Sequence, residues 1–322
     1  MNNRLLYPDI VKFFAIFMVT WSHCAQRVSG TIWTNFLGGT EIDLAFNMPL
    51  FMIMSGWFLN LDKMRNTKAK DFVRQKFKRL IIPSVVWYFI HQLLSFKAPG
   101  LSLFKYYWYL NGLFVCLCFI MLTAKAIKND AACIIVTIVV ILLIPYTDYC
   151  HVNFMLPFLW AGYGLRKVFE SKYRELFVVV ALLIGVSLCP FWDHQYTVYR
   201  APFNSIHINE FKIIAYVYRF TIGFCLSAPI IYIAYKLEKF YPDISGRIAN
   251  LGQYSLVIYT SSWAILGFVK VVLNYYGLHT NQLLLIDIYS LGLCIAIIAI
   301  TIVFSNYCRK RKGMRLLFLG ES

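Results

Sequence analysis

The chain has 322 residues, of which 60% are hydrophobic, 18% aromatic and 14% charged. A soluble chain carries about 25% charged residues, so a soluble multidomain protein is excluded, and the recurring apolar runs read as one membrane-embedded unit over 1–322. The net charge of +16 does not call for nucleic acid, because Lys and Arg collect in the cytoplasmic loops of membrane proteins.

A helix needs about 20 apolar residues to cross the hydrocarbon. Ten segments are candidates, in chain order: 8–26, 41–60, 80–96, 106–124, 131–146, 152–166, 175–190, 212–235, 251–273 and 284–306. The fifth to seventh are short. The expected fold is therefore all-α and polytopic, with about ten transmembrane helices. The first run lacks a small-residue cleavage site, so it is expected to stay as a membrane helix. The longest connection, 191–211, is too short for a soluble domain.

Charge tests this layout. With the N-terminus inside, the start, 61–79, 125–130, 167–174, 236–250, the tail from 307 and the adjoining helix ends hold 24 of the 31 Lys and Arg. The outer loops hold Arg27, Lys97, Lys105 and Arg200. Both termini are expected in the cytoplasm, and "RKRKGMR" reads as an anchor. The nine cysteines fall mostly in apolar runs, without CxxC or Cys/His metal spacing, so no metal is expected.

In the first segment Lys12 and His23 are eleven residues apart. They share one helix face at two depths, about 16 Å apart along the axis. Asp9 stands at i−3 from Lys12 and can neutralise it. Lys12 reads either as an interfacial, snorkelling lysine or as a working cation. An ionisable group within the membrane is costly and usually faces a partner or a cavity. His23 then reads as a general base, a neutral imidazole able to take a proton near pH 7. Glu41 and Asp43 open the second segment on the side where the first one leaves the membrane. Either can orient His23, and Asp43 is the deeper; both can also serve simply as helix N-terminal acids.

Several stretches, taken in order, resemble acyltransferase family 3, the integral-membrane O-acyltransferases. They are the basic residue, ten residues and histidine of the first helix, then "NMPLFMIMSGWFL" (47–59), "FVRQKFKRLIIPSVVW" (72–87), "YWYLNGLF" (107–114), "LPFLWAGYGLRK" (156–167) and "LGQYSLVIYTSS" (251–262). The chain departs from the family pattern at two points. Lys12 stands where arginine is usual, which loses the bidentate fork. Thr260, Ser261 and Ser262 stand where a histidine often follows the Ile-Tyr pair.

The resemblance implies a stand-alone enzyme of a bacterial-type inner membrane that moves an acyl group, commonly acetyl, from cytoplasmic acetyl-CoA. The implied acceptor is a hydroxyl of a lipid-linked or surface glycan. Acyl transfer needs a base, a positioned thioester and stabilisation of the oxyanion. Lys12, Arg74, Lys78 and Arg79 are the candidate cations for the donor's phosphates, and the family motif singles out Arg74 and Arg79. Ser55 and Gly56 serve either helix packing or the donor's pantetheine arm. Trp108 and Tyr109 suit an aromatic belt or a sugar platform. Arg219, deep in the eighth segment, needs a partner and, with Tyr259, completes the candidate acceptor site. The 191–211 loop, with Trp192, His194, Tyr196, Arg200 and His207, suits a carbohydrate cover or an interfacial loop. The competing readings are a flippase for a lipid-linked saccharide, which would show inverted repeats and broken helices, and a non-catalytic membrane subunit of the same fold.

Overall fold

The computed structural model describes residues 4–31, 42–96, 106–144, 150–201 and 209–321. Among these, every regular element is helical and no strand occurs. The helices are α1 (Tyr7–Ser29), α2 (Asp43–Trp57), α3 (Leu61–Asn66), α4 (Ala69–Lys76), a π-turn (Phe77–Ile81), α5 (Ile82–Leu94), α6 (Trp108–Ala126), α7 (Asp130–Leu143) and α8 (Val152–Phe169). They continue with α9 (Arg174–Leu188), two short 3₁₀ turns, α10 (Glu210–Phe240), α11 (Pro242–Gly252), α12 (Ser255–Tyr276), α13 (Leu283–Arg309) and α14 (Lys312–Leu319).

Each of the ten expected segments falls on a helix. Five are long and apolar enough to cross a membrane: α6, α9 with its 3₁₀ extension (Arg174–Phe191), α10, α12 and α13. The rest are shorter or more polar; α7 has 14 residues, and α1 carries Asp9, Lys12 and Arg27. Surface chemistry points the same way. Only 17% of the Arg174–Phe191 window is buried within the protein, and Leu176 and Leu183 point outward. Such side chains need an apolar solvent.

Two expected connections are helical instead. Residues 61–79 form α3, α4 and the π-turn, and the helical run continues unbroken into α5. Residues 236–250 complete α10 and build most of α11. The expected C-terminal anchor also folds back. α14 packs on α5, where the Trp87 indole donates to the Phe318 carbonyl at 3.2 Å. Pro229 lies inside unbroken α10.

α1 touches α2, α10, α11, α12 and α13, so it runs through the middle of the bundle. Pro8 opens it, where a missing N–H costs nothing. The Glu238 carboxylate receives the free amides of Leu6 and Tyr7 at 3.0 and 2.8 Å. Gly30, at φ +74°, ends it in the left-handed conformation. The closest seam joins α2 and α8. Gly56 lies on the α8 backbone at Leu159, and Gly162 lies on the α2 backbone at Ile53. Each glycine removes the Cβ that would hold the other helix away. Gly252 does the same against Asp9, bringing the start of α12 beside Lys12.

Candidate functional site

The inner end of α1 is organised around Asp9. Its carboxylate accepts from Lys12 Nζ at 3.2 Å and also pairs with Arg4. Lys12 Nζ lies 5.1 Å from the centre of the Phe58 ring. Opposite stands the π-turn. Pro83 has no N–H to return to Arg79, and the Ile82 amide reaches back to the Phe77 carbonyl, five residues earlier. Gly320, which caps α14, packs on the freed backbone: a Cβ there would lie 2.9 Å from Arg79 Cα.

Between these walls is a cavity of about 260 Å³. Lys12, Lys76 and Arg79 line one end, and Ser55, Tyr109 and Tyr259 line it among apolar side chains of α2, α6 and α12. Ser55 Oγ donates to the Phe51 carbonyl at 2.9 Å and lies 3.3 Å from Tyr109 Oη. The Tyr109 and Tyr259 rings are 5.6 Å apart. Two further hollows adjoin the cationic end. One, of about 500 Å³, shares Lys12 and Arg79 and adds Arg4, Arg309 and Glu321. The other, of about 350 Å³, shares Arg79 and adds Lys78, Gln253 and Ser305. Arg79 borders all three. Such an arrangement can receive a polyanion at the basic side and an extended apolar group within.

His23 lies beyond the lining of these hollows. Its ring is half-buried, 4.7 Å from Trp263, one helical turn past Tyr259 on α12. Its Nδ1 lies 3.1 Å from Gln26 Oε1. Trp263 in turn contacts Arg27, at 5.7 Å, and the Tyr106 ring, at 5.9 Å. Behind it, buried His91 lies 2.8 Å through Nδ1 from the Trp263 carbonyl, with its ring 4.8 Å from Tyr106.

The structure therefore brings Lys12, Ser55, Arg79, Tyr109 and Tyr259 to one cavity and Lys78 to its neighbour. Arg74 is exposed and lines none of the three hollows. Asp43 is buried at the start of α2; the group on the His23 ring is Gln26, not this carboxylate. Glu41 and His207 lie outside the described residues. Gly56 packs helices while its neighbour Ser55 faces the cavity. Trp108 is buried rather than at a belt, edge-on to His151 at 4.8 Å. It shares Phe154 with Arg219, whose guanidinium lies 5.2 Å from that ring and donates to the Ala201 carbonyl at 3.2 Å. These two form a cluster apart from the cavity. Of the 191–211 loop, Trp192 and Tyr196 pack on Tyr218.

Sequence reasoning passed over Lys76, Gln26, Trp263 and His91. Lys76 stands at i−3 from Arg79, and Trp263 at i+4 from Tyr259. His91 is an ionisable residue inside an apolar run, the same signal that singled out His23.

Residues 5–305 match the acyltransferase family 3 model, described as an acyltransferase domain. No curated protein and no solved structure matches the chain.

Proposed function

The chain belongs to acyltransferase family 3, and from that premise we propose that it is a membrane O-acyltransferase moving an acyl group, acetyl first among candidates, from cytoplasmic acyl-CoA to a sugar hydroxyl. The acceptor is a lipid-linked or surface glycan, the membrane is a bacterial-type inner membrane, and ten crossings leave both termini in the cytoplasm. The observation that supports this reading is the cavity with Lys12, Lys76 and Arg79 at one end and Ser55, Tyr109 and Tyr259 in its wall. Its residues fit an acyl-CoA by chemistry. Cations suit the phosphates, and an apolar chamber with a few hydroxyls suits the pantetheine arm.

In this reading the acceptor hydroxyl gives its proton to His23 as its oxygen adds to the thioester carbonyl. The tetrahedral oxyanion collapses, the C–S bond breaks, and the departing thiolate takes the proton back from the imidazolium. To meet His23, the acyl end moves along the α12 face from Tyr259 toward Trp263. Arg74 and Lys78 belong to the approach of the donor. Asp43 and Glu41 are the proposed carboxylates of the outer end, and Trp108 with Arg219 the proposed acceptor-side cluster.

The test is His23→Ala in purified, correctly folded protein, with acyl transfer from acetyl-CoA to glycan as the readout. We expect a loss of about 10²-fold or more. Undiminished transfer would remove the base assignment, and saccharide translocation without transfer would replace the enzyme with a flippase.

A further inference from the structure

A histidine acts as a base only through a nitrogen that carries a lone pair. A neutral imidazole has one such nitrogen, and the hydrogen bond made by the other selects it. On His23 that bond is made by Nδ1, at 3.1 Å from Gln26 Oε1. An amide oxygen only accepts, so with Oε1 toward the ring the proton sits on Nδ1 and the lone pair on Nε2. The donor and acceptor stand at i and i+3 on α1, the spacing that places two side chains on one helix face. Trp263 flanks the ring at 4.7 Å and restricts its swing. Arg27, the next residue along, lies over the indole at 5.7 Å rather than on the imidazole.

We infer that Gln26 is a positioning residue, holding the His23 imidazole in its Nδ1–H tautomer so that Nε2 is the atom that takes the acceptor proton. The inference rests on the reading of His23 as the base and adds the atom and the group that sets it. A neutral amide here does the part a carboxylate plays in a charged pair. It fixes the ring without adding a second charge beside Arg27.

The experiment uses full-length protein labelled with ¹⁵N-histidine in lipid bilayers, with the His23 signals assigned by their loss in His23→Ala. The wild type is expected to show protonated Nδ1 and a lone-pair Nε2. Gln26→Leu keeps an aliphatic stem, one atom shorter, and removes the acceptor. It is expected to shift the population toward Nε2–H and to lower kcat about tenfold, the size of one hydrogen bond, with KM for acetyl-CoA unchanged. Gln26→Glu restores an acceptor at the same place and is expected to restore both the tautomer and kcat, which a merely structural role would not do. An Nε2–H tautomer in the wild type would overturn the inference, as would a Gln26→Leu protein with wild-type tautomer and kcat. The resting tautomer is read without substrate, so the two readings fail separately. An Nδ1–H ring in an enzyme that stays fully active as His23→Ala would refute the base and uphold the hydrogen bond.

Discussion

Two glycines of α8 make opposite predictions from the same substitution. In Gly162→Ala the new Cβ would lie 2.8 Å from the Ile53 carbonyl carbon and 3.0 Å from Ile53 Cα, and nearer still to the carbonyl oxygen. These atoms are backbone inside α2, so no rotamer relieves the overlap. Carbon atoms pack best at about 3.5–4.0 Å, so the helices must part by about 1 Å. A gap of that size forfeits a quarter to a half of each dispersion contact along the seam. Overpacking of this kind costs about 1–3 kcal/mol, and the backbone location puts Gly162→Ala near the top of that range. At about 2 °C per kcal/mol for a chain of this size, Tm should fall by about 5 °C. Gly164, two residues on, has nothing within 4 Å of its would-be Cβ. Gly164→Ala adds only helix propensity, at most about 1 kcal/mol in favour of the fold, so Tm should stay or rise by 1–2 °C (about one kcal/mol on the same scale). The assay is thermal unfolding of purified protein in one detergent, read by loss of monodisperse protein. Equal Tm values for the two variants, or a stabilised Gly162→Ala, would refute the backbone contact between α2 and α8.

Lys76→Gln and Arg79→Gln should each raise KM for acetyl-CoA about tenfold, the scale of one charge-assisted hydrogen bond, with kcat little changed. An effect confined to the acceptor KM, measured in the same assay, would move the donor elsewhere. Asp130 accepts from Arg65 at 2.7 Å and from Tyr163 at 2.8 Å, and these partners, Arg65 first, hold its carboxyl below the usual carboxylate value. A lowered native pKa stabilises above the unfolded value of about 3.9, and that gain is lost as pH falls through the native value. The Tm gap between wild type and Asp130→Asn should therefore be open at pH 7 and close in acid below about pH 4; a gap that is constant with pH would show the carboxylate charge is not what Arg65 reads.

Apolar runs made the helices legible because a membrane helix announces itself by composition alone. The covered connections were harder. Residues 61–79 are dense in Lys and Arg, which hides the α4 helix and its buried Phe72 behind the charge bias expected of any cytoplasmic loop. The same bias hid Lys76. Every cation there is expected, and only the packing shows that Lys76 and Arg79 face the cavity while Arg74 does not. Spacing placed Lys12 and His23 on one face, and the Asp9 partner of Lys12 follows from i−3 geometry. The partner of His23 did not follow, since a carboxylate at the start of another helix looked better placed than an amide three residues away. Contacts within α12 and α5 that bring Trp263 and His91 together depend on helix rotation, which composition does not carry.

The π-turn before α5 has a consequence for chain length. One surplus residue is lodged between Phe77 and Ile82, and each residue of a helix advances the side-chain azimuth by about 100°. The widened turn absorbs that extra residue, so the helix upstream keeps the phase it would have in a plain α-helix. Deleting one residue there would close the turn and leave Lys76 on the wall it shares with Lys12. What a chain one shorter at this point would lose is the loosened backbone at Arg79 on which Gly320 sits.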